Sequence, residues 1–444
     1  MTFSFRNHSL LTLLFLSLLG CVPLGEPITG TAEQPKTPEY YAQRTLRYED
    51  HIYSDRIRSV QFYAATGTPE EVLTAPVISI GQNPRAVLEF DELSESQQRF
   101  RVKLVHCDVN WQPSNLADIQ FLHDYNEFFI TDARPSGNTK VMFFHYRFVI
   151  PTVKISGNYL VVVSNQDESF ALTRRLMVYE NQVAANLRPV LSAGVSERFT
   201  MQQVNFDVMF PRYELVNPAV EVKVILRQNH RWDNAKYNIR PTFVHDAQRR
   251  LEYTFFDARN SFPGLNEYRV FDTRSLRYTG FNLAAINRDV SPTEALLSPQ
   301  QSRADEAYAR YPDINGKCLY DNREFGNGNV EADYAWVNFQ VKAPVEAPGG
   351  VYVFGQLSDW KLQPEFKLKY DEAKGMYTGR ALLKQGYYNF HLGVQTASGL
   401  DIKYFENSYA DTENIYDLLV YYRPPGGRAD LLIGYASVNV NSDR

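Results

Sequence analysis

The segment His106-Cys107-Asp108, followed closely by Trp111, places a thiol beside a base and an acid. Nucleophilic catalysis would need the thiol within hydrogen-bond reach of the imidazole. The local pattern argues against that. Val102-Lys-Leu-Val105 reads as a strand running into the segment, and adjacent strand residues point to opposite faces. His106 and Cys107 therefore cannot easily meet. Cys107 reads as a buried structural thiol. His106 and Asp108 share a face and are expected to form a structural hydrogen bond, with Trp111-Gln-Pro-Ser114 as the turn that follows.

The remaining chemistry-bearing residues are dispersed. The 8 histidines include His123 beside Asp124, His145 beside Tyr146 and His230 near Asp233, all isolated polar pairs. A metal site needs three or four converging ligands, and no pair has the spacing of a helical His-Glu-x-x-His motif. There is no P-loop, no Gly-x-Gly-x-x-Gly and no Gly-x-Ser-x-Gly. The acids read as solvated surface carboxylates, so neither an active site nor a cofactor is indicated. Cys107 and Cys318 lie far apart in sequence and read as two separate buried thiols. One candidate binding residue stands out. Val351-Tyr-Val-Phe-Gly355, then Leu357-Ser-Asp-Trp360 and Gly386-Tyr-Tyr-Asn-Phe-His391, resemble the early-set immunoglobulin-like modules that bind starch or glycogen. Trp360 is thus a candidate glycan contact, set against a role covering a sandwich edge.

The elements that must position these residues are strands. Val204, Phe206, Val208 and Phe210 alternate with polar residues, as do Val220, Val222, Val224 and Leu226, and Ala335, Val337, Phe339 and Val341. Such alternation marks half-buried strands. Val141-Met-Phe-Phe, Tyr159 to Val163 and Leu251 to Phe256 are mostly apolar and read as central strands covered on both faces. Aromatic residues make up 14% of the chain, mostly Tyr and Phe, which also favours strands. Helix is confined to Ser291-Pro-Thr-Glu294, a capping box ending near Pro299, and a short segment over Ser302 to Arg310. The fold class expected is all-β, with tandem immunoglobulin-like sandwich modules. The modules are expected at 41–185, 186–325 and 330–440.

The N-terminus sets the compartment. Arg6 and the apolar run Leu10 to Leu19 form a secretory signal over 1–20, too short to span a membrane. Leu18-Leu19-Gly20-Cys21 resembles the lipobox of a bacterial lipoprotein, which makes Cys21 the lipidated residue. Residues 21–40, rich in Pro, Gly and Thr, read as a flexible tether. Val22-Pro23-Leu24 carries no acidic run, which favours retention on the periplasmic leaflet. With 46 basic and 51 acidic side chains the net charge is −5, which offers nucleic acid no basic footprint.

Several stretches together resemble the plug protein of the type IX secretion system of Bacteroidetes. They are His106 to Ser114, Asn138-Thr139, His145-Tyr146 with Pro151, and Ser156-Gly-Asn-Tyr159. Further along come Gln228-Asn229-His-Arg-Trp-Asp-Asn234, Asn266-Glu267-Tyr-Arg269 and Asp313-Ile-Asn315-Gly316. The resemblance runs from about Tyr41 to Tyr320 and more loosely beyond. It implies a non-enzymatic outer-membrane lipoprotein that closes the periplasmic mouth of a giant translocon β-barrel when no cargo passes. The barrel would be its partner, and the lipid on Cys21 its link to the membrane. The motif residues themselves are expected to be structural, fixing loop shapes.

Overall fold

A computed structural model describes residues 45–81 and 84–442. The signal segment, the tether and the lipidation expected at Cys21 lie outside the described residues. The chain is all-β, as expected.

The first domain has two facing sheets. One holds four strands in the order Ile57–Ala65, Arg85–Glu92, Phe144–Val149, Asp132–Pro135. The other is six-stranded and runs His51–Ile52, Phe170–Tyr179, Gly157–Ser164, Arg101–Cys107, Phe128–Phe129, with Val77–Ser79 added in parallel to Phe170–Tyr179. Between them Phe90 stacks on Tyr146 at 5.2 Å, and Phe100 meets Tyr146 edge-on at 4.9 Å. The unbroken apolar run Tyr159 to Val163 is explained by double coverage. Tyr159, Val161 and Val163 face this core. Leu160 and Val162 face outward, into a second core shared with Ile225, Leu419 and Leu432 of the next domain. Val141 to Phe144 differs from expectation, since Met142 is 56% exposed and the strand begins only at Phe144. The segment is held from outside instead. Asp333 accepts the Lys140 and Val141 amides at 2.8 and 3.0 Å, and Phe143 packs edge-on against Tyr334.

The second domain faces a sheet of Ala184–Leu191, Met201–Met209, Arg250–Tyr253 and Phe243–His245, with Ser261–Pro263 added, against a sheet of Lys223–Gln228, Asn414–Tyr422 and Leu431–Val440. Val204, Phe206, Val208, Val224 and Leu226 point into its core as the alternation requires. Val220 does not, because it sits exposed in the one-turn helix Pro218–Glu221. The run Leu251 to Phe256 is a strand only to Tyr253, and Phe256 is 83% exposed.

The third domain is a ten-stranded sheet, from Arg269–Asp272 through Gly386–Thr396 and Tyr334–Lys342 to Leu283–Asn287. Its core includes Phe271, Val337, Phe339, Val353 and Phe390. Strand pairing redraws the expected modules 186–325 and 330–440. Lys223–Gln228 pairs with Asn414–Tyr422, and Arg269–Asp272 pairs with Gly386–Thr396. The third domain is therefore inserted into the second, which the last two strands return to complete. Alternation marks a strand but carries no information about its partner.

Both expected helices are absent. Thr293–Leu297 is a strand parallel to Tyr334–Lys342, with Thr293, Ala295 and Leu297 turned inward. That period of two, paid out in burial, overrides the local capping signal. Ser302 to Arg310 is irregular because its side chains are anchored individually. Arg303 donates to Glu406 at 2.8 and 2.5 Å and to the Glu267 carbonyl at 2.8 Å, and Tyr308 donates to Glu267 at 2.5 Å.

Candidate functional site at the junction of the three domains

The sequence motifs sit where the domains meet. His106 and Cys107 close the strand Arg101–Cys107 and point to opposite faces. His106 lies inside the first domain, with Nδ1 3.0 Å from the Ser114 hydroxyl and its ring edge-on to Tyr159. Burial pushes it down to about 4. Gly157 lets this ring in, for a Cβ there would lie 2.5 Å from His106 Nε2. Cys107 faces the second domain, and burial pushes its thiol up to about 12. The expected hydrogen bond between His106 and Asp108 is replaced by a tighter local one. Asp108 Oδ1 accepts the Asn110 and Gln112 amides, both at 2.9 Å. This Asx-type turn holds Trp111 at φ 62° and buries it. Among the described residues Cys107 and Cys318 are both free and buried.

From Trp111 a column of alternating rings and cations crosses the junction. Trp111 meets Trp232 edge-on at 5.2 Å. The Arg175 guanidinium lies 4.6 Å from the first ring and 4.9 Å from the second, and Arg227 lies 4.3 Å from Trp232. Arg227 is fully buried and forms two bonds to Asp417, at 3.1 and 2.5 Å. Arg231 continues the column, pairing with Asp233 at 2.5 Å and lying 4.5 Å over Trp360. Such contacts are each worth about 0.5–2 kcal/mol. The loop that carries Trp232 turns through Asn229 and His230, both left-handed at φ 53° and 58°. Asn229 exchanges side-chain and backbone bonds with Asn414 and Ile415 at 2.8 Å, and Gln228 reaches the Pro263 carbonyl and Tyr416.

The later motifs fix the third domain to this column. Asn266 donates to the Glu406 carbonyl at 3.0 Å, and Glu267 accepts from Tyr308. Asp313 accepts the Tyr268 and Asn315 amides at 2.6 and 2.7 Å, and burial raises it to about 7. Gly316, at φ 76°, is required by close approach, because any Cβ would collide with the Trp360 and Tyr268 rings. Trp360 is half-buried, with Arg231 over one face. His145 joins a separate buried cluster. Asp91 accepts from His145 at 2.8 Å, Lys384 at 2.6 Å and Tyr334 at 2.8 Å. Burial would push Asp91 up, but Lys384 and His145 outweigh it and hold the carboxyl below its ordinary value. Tyr146 exchanges hydrogen bonds with the backbone of Gln98.

The sequence reading missed Arg175, Arg227, Arg231, Asp91 and Lys384. A signal existed for one of them: Arg174-Arg175 interrupts the apolar strand Phe170–Tyr179, and a cation in a buried strand must have a purpose. All three domains also line one cleft of about 360 Å³, including Asp50, Arg175, Arg231, Lys317 and Lys361. Among the described residues no group of three or more His, Cys, Asp or Glu side chains is placed to hold a metal ion.

These features define a multidomain all-β protein whose motif loops lock domain to domain. Residues 57–180 match the family model described as the type 9 secretion system plug protein first domain. The first domain is thus similar to that of type 9 secretion system plug proteins. The crystal structure of a hypothetical protein from Parabacteroides merdae is similar at 26% identity, with a TM-score of 0.83 over 89% of this chain and 100% of that one. No curated protein matches the chain.

Proposed function

We propose that this protein is a non-enzymatic plug that closes the periplasmic opening of the type IX translocon barrel when no cargo passes, held at the outer membrane by a lipid on Cys21. The match of residues 57–180 to the plug first domain carries the reading. The locked junction supports it, because a plug must present one fixed surface and resist deformation in a wide pore. A lipid tether would raise its effective concentration at the barrel mouth. The seal must also release, so a polar, wet interface of moderate size suits it. Affinity purification of the tagged protein from outer membranes in mild detergent tests this. Near-stoichiometric recovery of a very large barrel protein is expected, and recovery of the lipoprotein alone would overturn it.

A second reading, a carbohydrate-binding lipoprotein, rests on Trp360, which lines the cleft. Arg231 already occupies one ring face, so this reading ranks below the first. Glycan binding that disappears in Trp360→Ala would restore it.

A further inference from the structure

The cleft at the junction is unbalanced in charge. Six cationic side chains and four carboxylates line it, and two of the cations form no salt bridge among the described residues. The pairing identifies them. Arg231 is matched by Asp233 and Arg174 by Asp359 at 3.2 Å. Arg227 is matched by Asp417 from behind the wall, and Lys361 lies 3.6 Å from Glu49. The fourth lining carboxylate, Asp50, accepts the backbone amide of Arg175 at 2.7 Å.

Arg175 and Lys317 remain. The Arg175 guanidinium directs Nε and Nη2 to a single acceptor, the Tyr48 carbonyl, at 3.2 and 2.7 Å. Its Nη1 makes no hydrogen bond among the described residues. Among the described residues the Lys317 ammonium donates only to the Leu73 carbonyl. Neither forms a salt bridge among the described residues, although Asp50 and Glu49 act on Arg175, and Asp417 on Lys317, through space. A guanidinium edge and an ammonium facing one cleft are the donor set of an oxyanion site. The rings of Trp232 and Trp360 also line the cleft.

We propose that this cleft binds an oxyanion group, phosphate, sulfate or carboxylate, on the Arg175 guanidinium and the Lys317 ammonium. Arg175 belongs to the first domain and Lys317 to the third. A bound anion therefore ties the two together and tightens the junction. The proposal does not depend on what the protein seals.

The test uses the full folded chain at constant ionic strength set with chloride. Inorganic phosphate, sulfate and acetate are titrated separately while intrinsic tryptophan fluorescence is followed. Trp232 and Trp360 line the cleft and serve as reporters. A saturable change is expected for at least one anion, with binding weakened about tenfold or more in Lys317→Met and retained in Lys317→Arg. Arg380→Gln alters a cation stacked on the distant Trp336 and should leave the titration unchanged. Should Lys317→Met fail to fold, broadening of the phosphorus resonance of phosphate by the parent chain, reversed by excess sulfate, replaces it. A linear, non-saturating response to all three anions, or equal affinity in Lys317→Met and the parent, would overturn the proposal. Preference among the three anions identifies which source chemistry the site takes.

Discussion

Replacing Asp91 by Asn should weaken the protein far more than the loss of one hydrogen bond. Asp91 is 1% exposed and lies in the first domain, and its partner Lys384 is 2% exposed in the third. Their separation is 2.6 Å. The amide preserves shape and can still accept from Tyr334, but it leaves the Lys384 ammonium buried without a counter-charge. Stranding one member of a buried pair costs about 3–5 kcal/mol, against about 1 kcal/mol or less for an exposed pair. Urea denaturation followed by tryptophan fluorescence and circular dichroism would measure it. The double variant Asp91→Asn with Lys384→Met is the more discriminating arm. Removing the stranded ammonium should recover part of the loss, so the double variant should be more stable than Asp91→Asn alone. A cost for Asp91→Asn below about 1 kcal/mol, or a double variant no more stable than the single, would refute the view that this charge pair fastens the two domains.

Three further outcomes follow from the same geometry. Gly67 and Gly316 share φ 76°, but only Gly316 has rings where a Cβ would stand. Gly67→Ala should therefore cost about 1–2 kcal/mol of backbone strain, and Gly316→Ala a further 1–3 or so from overpacking, both read from denaturant midpoints. Glu406 is raised by burial, but Arg269 and Arg303 outweigh it and hold it down to about 2 against an ordinary 4.5. The folded pKa is depressed, so its contribution of about 3 kcal/mol is present above pH 4.5 and lost as pH falls through about 2. A Glu406→Gln variant, already destabilised at neutral pH, should show a flatter decline over that window. Cys107 and Cys318 should resist a thiol reagent in the native chain and react on unfolding, because both are buried and burial raises both thiols.

Strands were legible wherever one face meets a core and the other meets water. Val337, Phe339 and Val341 alternate cleanly for that reason. Legibility failed where tertiary contacts decide. Ser291-Pro-Thr-Glu294 has the local grammar of a helix start, yet Thr293 to Leu297 gains more by completing the third-domain sheet. Ser302 to Arg310 is held by Arg303 reaching Glu406 across 103 positions and by Tyr308 reaching Glu267 across 41, partnerships that no local pattern encodes. The motif residues read in sequence as loop-shaping residues, and nothing local marks them as parts of one junction. Trp111 and Trp232 are widely separated in sequence yet meet edge-on with Arg175 over both rings, and Arg231, beside Trp232 in sequence, lies over Trp360.

The insertion topology explains why the junction is so heavily bonded. The third domain leaves the second after Ser261–Pro263 and returns at Asn414–Tyr422. Two chain crossings beside each other would act as a hinge if nothing else joined the domains. Gln202 closes one side, donating to the Ala410 and Thr412 carbonyls at 2.8 and 2.7 Å while accepting from Asn414 and Tyr416. Asp91 and Lys384 close another side, from the first domain to the third. Polar locks of this kind are directional, so they fix orientation as well as contact, which an apolar seam of the same area does not. The proposed role as a plug would need orientation held at every internal joint. Placing buried, cross-bonded polar groups such as Gln202, Asp91 and Lys384 at the joints is how a chain of three domains can behave as one.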